Sequence, residues 1–181
     1  MATVDALIVL GHVLIWDDHT KKQRPGSRFS LGRRFSCSSA NRIQPNGDAT
    51  PDLATTISVN YGIVVEAKIS WHTSEFDVDE DLKQLMKYDD DLLGWHTKTK
   101  RVGKSDVVVL SHHTRKGDVL RILEKALNDE KLVMQRGLSA ITFVRFSQAD
   151  GEFMAFELSY GVLDEGTFQR RFLGPLTVPL E

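Results

Sequence analysis

Pro51-Asp52-Leu53-Ala54-Thr55-Thr56-Ile57-Ser58-Val59-Asn60-Tyr61-Gly62-Ile63-Val64-Val65-Glu66-Ala67-Lys68-Ile69-Ser70 is the stretch on which the fold turns. Its second half, Gly62 to Ser70, reads as one strand, because β-branched residues dominate it and its sides alternate. Ile63, Val65, Ala67 and Ile69 form an apolar side. Val64, Glu66, Lys68 and Ser70 take the other, so a carboxylate and an ammonium share one face. The first half alternates in the same way, with Leu53, Ile57 and Val59 on one side and Asp52, Ala54, Thr56 and Ser58 on the other. Between them Asn60-Tyr61-Gly62 fits a three-residue hairpin loop whose last position takes a left-handed backbone that glycine accepts. That loop pairs Val59 with Ile63, sets Thr56 opposite Glu66 and Ala54 opposite Lys68, and leaves Asp52 at the far end of the same face. A two-residue loop would turn Asp52 away, since one step of register inverts every side chain.

Two carboxylates converging on one point make a minimal site for a hard divalent cation, which prefers oxygen ligands. A lysine beside them stabilises developing negative charge or orients an attacking water. Pro51-Asp52 followed by Glu66-Ala67-Lys68 resembles the signature of the PD-(D/E)XK, or restriction-endonuclease-like, nucleases. Asp79 to Gly94 looks helical: acids crowd its first turn, Leu82, Leu85, Met86, Leu92 and Leu93 form an apolar stripe, and Gly94 suits its end. Gln84 and Tyr88, four residues apart, share a face of it. They resemble the QxxxY element of the RecB-like exonuclease branch of the same family.

The resemblance implies an α/β fold with a restriction-endonuclease-like core, a central mixed β-sheet flanked by α-helices. It implies Mg²⁺ held by Asp52 and Glu66, with Mn²⁺ able to substitute and a main-chain carbonyl near Ala67 as a further ligand. Lys68 would assist the attacking water, Gln84 would face the catalytic cluster, and Tyr88 would support it. Members of the family often carry another acid on a first helix. Here Asp5, Asp17 and Asp18 are the candidates, and none is the usual glutamate. The alternative for Glu66 and Lys68 is the solvated face of an edge strand.

The 181-residue chain is long enough for one well-buried domain and short for two, so one domain over residues 1–181 is expected, its core at about 45–147. A composition of 41% hydrophobic and 27% charged residues is that of an ordinary globular protein, and a formal net charge of −2 leaves any nucleic-acid surface local. The single cysteine, Cys37, excludes an internal disulfide and a cysteine-rich zinc site. The longest apolar run, Ala6 to Trp16, is too short to span a bilayer and lacks a basic leader, so a cytoplasmic protein without a membrane partner is expected.

Ala2 to Trp16 is apolar around Val4, Leu7, Ile8, Val13, Leu14 and Ile15, consistent with a buried helix or a strand. Thr20 to Arg42 is basic, with Lys21, Lys22, Arg24, Arg28, Arg33 and Arg34 interleaved with Phe29 and Phe35, and contains no acid. Such a segment suits a phosphate backbone, or a solvated loop. Asn46-Gly47-Asp48 signals a turn. Asp106 to Leu110 reads as a central strand covered on both sides. His112 and His113 should point apart in a loop after it. Asp118 is a candidate N-cap for an amphipathic helix to Leu127 that buries Val119, Ile122 and Leu123. Leu138 to Ser147 and Glu152 to Tyr160 read as a hairpin around Ala149-Asp150-Gly151.

The function expected is a Mg²⁺-dependent nuclease, exonuclease or endonuclease, acting on DNA. Two alternatives stand beside it: a catalytically silent nucleic-acid-binding or assembly module of the same fold, and an unrelated α/β binding protein. Whether the chain forms a homodimer or belongs to a larger polypeptide is open.

Overall fold

The computed structural model describes residues 2–32, 35–36, 48–58, 61–68, 104–128, 138–161 and 175–180. Helix α1 (Ala2–Ile15) leads into a small hairpin, β1 (Trp16–Asp17) with β2 (Lys22–Gln23), and then into β3 (Arg28–Leu31). Two short strands, β4 (Phe35–Ser36) and β5 (Asp48–Ala49), pair with one another, so Asp48 belongs to a ladder and not to a turn. Strands β6 (Leu53–Ser58), β7 (Tyr61–Lys68) and β8 (Lys104–His112) follow, then a 3₁₀ turn (His113–Arg115) and α2 (Lys116–Asn128). Strands β9 (Leu138–Gln148), β10 (Gly151–Tyr160) and β11 (Leu176–Leu180) complete the order.

One seven-stranded sheet runs β11-β10-β9-β8-β7-β6-β3. The β7/β8 and β8/β9 pairs are parallel and the rest antiparallel, so the chain is α/β with a mixed sheet. The sheet continues past the expected core through β10 and β11. Pro179 sits in the outermost strand, where a missing N–H costs no ladder bond.

Alternation sorts the strand residues onto two covered faces. Ile63, Val65, Val108, Leu110, Ile141, Phe143, Met154 and Phe156 form the core under α1, together with Ala6, Leu7, Leu10 and Leu14. Val64, Val107, Val109, Leu138 and Ala140 are fully or nearly fully buried on the other side, where α2 brings Val119, Ile122 and Leu123. Val107 to Leu110 are thus covered on both sides, as their unbroken apolar run predicts.

Helix α1 is helical but not wholly buried: Val4 and Ile8 are 54% and 37% exposed, because only one stripe of the helix meets the sheet. Gly11 lets it approach β3 closely, since a Cβ there would fall 2.7 Å from the Phe29 ring. Asp118 is not the N-cap of α2. The preceding 3₁₀ turn carries the helix start back to Lys116, and Asp118 pairs with Arg115 at 3.2 Å and Arg121 at 3.4 Å in the first turn.

The central hairpin departs from its predicted register. Ser58 pairs with Tyr61, Thr56 with Gly62, Ala54 with Val64 and Leu53 with Val65. The connection is therefore the two residues 59–60, and neither Thr56–Glu66 nor Ala54–Lys68 is a pair. By itself that loop would turn Asp52 to the α1 side. An irregularity between Thr56 and Ser58 inserts one extra residue into β6 and reverses the alternation. Carried one residue past Leu53–Val65, the register sets Asp52 opposite Glu66.

Candidate active site

Strand β7 lies between β6 and β8, so its polar face is not that of an edge strand. Glu66 is only 5% exposed. A buried carboxylate needs a compensating charge or hydrogen bonds, and Lys68 provides the former, with Nζ 3.6 Å from Glu66 Oε1 and both side chains almost enclosed. The two side chains project to the α2 side of the sheet at the C-terminal end of β7, one step of alternation apart.

Asp52 is pinned from both flanks just before β6 begins. Its main-chain carbonyl accepts from Gly32 N at 3.0 Å, extending the β3/β6 ladder by one bond. Its carboxylate Oδ2 accepts from Ala67 N at 2.7 Å, taking the place that a strand carbonyl would hold had β6 started earlier. Pro51, which is buried, precedes it and offers no N–H of its own. The aspartate is thereby anchored on the main chain of the residue between Glu66 and Lys68.

The arrangement brings two hard oxygen donors to one end of two neighbouring strands: the Asp52 carboxylate on Ala67 N, and the Glu66 carboxylate on the residue before it. This donor set fits Mg²⁺ or Mn²⁺ in kind. Among the described residues no three acids, histidines or cysteines cluster in a metal-holding group. Asp5 is 3.5 Å from Arg145, and Asp17 accepts from His19 N at 2.9 Å, which holds its carboxyl below the usual range. Asp5 and Asp17, two of the three candidate acids on and just after the first helix, are thus engaged elsewhere.

Gln84 and Tyr88, with the helix expected to carry them, lie outside the described residues, as do Arg33 and Arg34. Lys21, Lys22 and Arg24 belong to the β1/β2 hairpin and the turn that enter β3. Arg28 pairs with Thr56, four residues along β3 from the Gly32–Asp52 level, or about 13 Å at strand rise.

Parallel pairing of β7 with β8 adds a residue that the motif did not point to. Lys68 is in register with Ser111, and Ser111 in turn with Thr142, which places the three side chains in one row on the α2 face. Ser111 is 1% exposed, and its hydroxyl has no hydrogen-bond partner among the described residues. Thr142 is satisfied by Ser159 at 2.7 Å. No local spacing links Lys68 to Ser111, because only the β7/β8 register makes them neighbours.

His112 ends β8, and His113 opens the 3₁₀ turn. The turn folds the second ring back, so that the two centroids are 4.5 Å apart instead of diverging. His112 sits edge-on to Phe143, and burial, followed by the His113 charge, pushes its pKa below the usual histidine value. No membrane-length apolar helix occurs among the described residues. Comparison with protein-family models, curated proteins and solved structures finds no match for this chain.

Proposed function

We propose that the protein is a divalent-metal-dependent nuclease that hydrolyses phosphodiester bonds in DNA, on a core of the restriction-endonuclease type. The observation that carries this reading is the capture of the Asp52 carboxylate by Ala67 N, which joins the acid after Pro51 to the Glu66–Lys68 pair across adjacent strands. The mixed sheet, with α1 packed on one face and α2 on the other, supports it, since the resemblance implies a central mixed β-sheet flanked by α-helices.

Asp52 and Glu66, with the Ala67 carbonyl, would hold Mg²⁺, for which Mn²⁺ could substitute. When bound, the cation supplies charge stabilisation at a phosphate oxygen and a more acidic water. The Lys68 ammonium, fixed beside Glu66, orients the attacking water and offsets the negative charge that gathers on the phosphoryl oxygens. The water oxygen bonds to phosphorus as the bond to one sugar oxygen breaks, leaving a phosphate monoester and an alcohol. Enclosure of Glu66 and Lys68 strengthens both effects, because charges in a water-poor site are weakly screened.

The test is cleavage of circular and linear DNA by the full chain with Mg²⁺ or Mn²⁺, beside Glu66→Gln and Lys68→Ala. Parent cleavage with a loss of at least about a hundredfold in each variant is expected. No parent cleavage, or equal cleavage by the variants, would refute the reading.

The presence of only two acids at the described site favours a second reading, a silent DNA-binding or assembly module. Calorimetry with Mn²⁺ separates the two, since the module should take up no ion in a manner that depends on Asp52.

A further inference from the structure

Ser111 carries one of several buried hydroxyls without a hydrogen-bond partner among the described residues, Thr55 and Thr56 being others. It is 1% exposed at the end of the central strand, and its Oγ has no partner among the described residues. Leaving a buried hydroxyl unpaired is unfavourable, and alanine at the same place would avoid it. Across the sheet its same-face neighbours are Lys68 on β7 and Thr142 on β9. Thr142 is already bonded to Ser159 at 2.7 Å. Lys68 Nζ stands 3.6 Å from Glu66 Oε1. Neighbouring strands lie about 4.8 Å apart, so a lysine with four rotatable bonds can swing between the Glu66 carboxylate and the Ser111 hydroxyl without moving the backbone.

We propose that Ser111 is a positioning residue for Lys68. Its hydroxyl accepts a hydrogen bond from the ammonium when the Glu66 carboxylate is engaged by a cation or by substrate. The inference rests on the nuclease reading above. A cation or substrate that engages Glu66 competes with Lys68 for the same carboxylate. Ser111 supplies an acceptor on the strand where the register delivers it. The hydroxyl does not touch the reacting atoms but fixes the direction from which the ammonium meets the water and the phosphate.

The experiment compares the full chain with Ser111→Ala, Ser111→Thr, Glu66→Gln and Lys68→Ala, on the DNA substrate that the parent cuts fastest with Mg²⁺. Thermal unfolding and calorimetric Mn²⁺ binding are measured on the same preparations. Ser111→Ala removes one atom and should fold. It should lower kcat about tenfold, as is usual for groups that orient a catalytic residue, while leaving KM and Mn²⁺ affinity at parent values. Its melting temperature should equal or exceed the parent's, because no bond of the resting protein is lost. Ser111→Thr, which keeps the hydroxyl, should recover most of the rate. If Glu66→Gln and Lys68→Ala are inactive but Ser111→Ala turns over like the parent, the role of Ser111 falls and the nuclease reading stands. Loss of activity together with a lower melting temperature, and without rescue by threonine, would make Ser111 a packing residue and overturn the proposal. If Glu66→Gln and Lys68→Ala cut as well as the parent, the nuclease reading falls and the role of Ser111 with it.

Discussion

The nuclease reading adds a second, separable job to the bond that Asp52 makes, and replacing it by asparagine and by alanine should divide the two. Its Oδ2 accepts from Ala67 N at 2.7 Å in a half-buried setting, closing the β6/β7 ladder where the strand itself has not begun. A hydrogen bond to a charged group contributes about 1.5–3 kcal/mol and a neutral one about 0.5–1.5 kcal/mol. Asparagine keeps an acceptor oxygen at the same reach, so Asp52→Asn should cost about 1 kcal/mol. Alanine leaves the Ala67 N–H without its acceptor, and Asp52→Ala should cost about 2 kcal/mol. For a chain of this size 1 kcal/mol corresponds to about 2–4 °C in melting temperature, so falls of about 3 °C and about 6 °C are expected. Activity should not follow this order. Both variants lose the carboxylate that would ligate the cation on the proposed reading, and both should be inactive with Mg²⁺. Thermal unfolding by circular dichroism and a DNA cleavage assay on the same samples read the two effects. If Asp52→Ala melted with the parent, the bond to Ala67 would not exist as described. If Asp52→Asn cut DNA at the parent rate, the ligand role would be wrong even with the bond intact.

Three further outcomes follow from the packing. Tyr61→Phe removes the hydroxyl that donates to Asp106 Oδ2 at 2.5 Å, where Asp106 is 2% exposed, and should cost about 1.5–3 kcal/mol in urea unfolding; an unchanged midpoint would refute the bond. Gly11→Ala should gain about 1 kcal/mol of helix propensity but force a Cβ within 2.7–2.9 Å of three Phe29 ring atoms, an overlap of about 1–3 kcal/mol, so net destabilisation is expected. In a Phe29→Ala background the same change should become stabilising, and no reversal of sign would show that the contact is not tight. His112 has a folded pKa below its unfolded value of 6.5, so the unfolded chain binds the proton more readily. Its contribution is present above pH 6.5 and is lost as pH falls toward the folded value, and His112→Gln should flatten that part of the stability curve; a parallel loss in both proteins would exclude the histidine as its source.

Local pattern was enough for the elements whose two sides differ in character or whose run is unbroken. Val107 to Leu110 read as part of an interior strand, and Leu138 to Ser147 with Glu152 to Tyr160 read as a hairpin around Ala149-Asp150-Gly151; both occur. The extent of α1 was legible, but not its exposed stripe, because Val4 and Ile8 are as apolar as Leu7 and Leu10 and only docking on β3 and β6 tells them apart. The start of α2 was missed for a related reason. A 3₁₀ turn capped by His112 leaves no sequence mark as strong as an aspartate near a helix start.

The chemistry of the candidate site, its two acids and one lysine, is written in Asp52, Glu66 and Lys68, because residue type and strand alternation are local properties. Their meeting is not local. A two-residue loop moved every pair of the central hairpin, and one extra residue near Ile57 restored the face of Asp52, so two shifts that short-range rules treat separately cancelled in the folded chain. The neighbour of Lys68 on β8 was likewise set by the parallel register, which depends on how two strands far apart in sequence bury their apolar sides together. Alternation decides which side of a strand a residue takes; only packing decides what stands across from it.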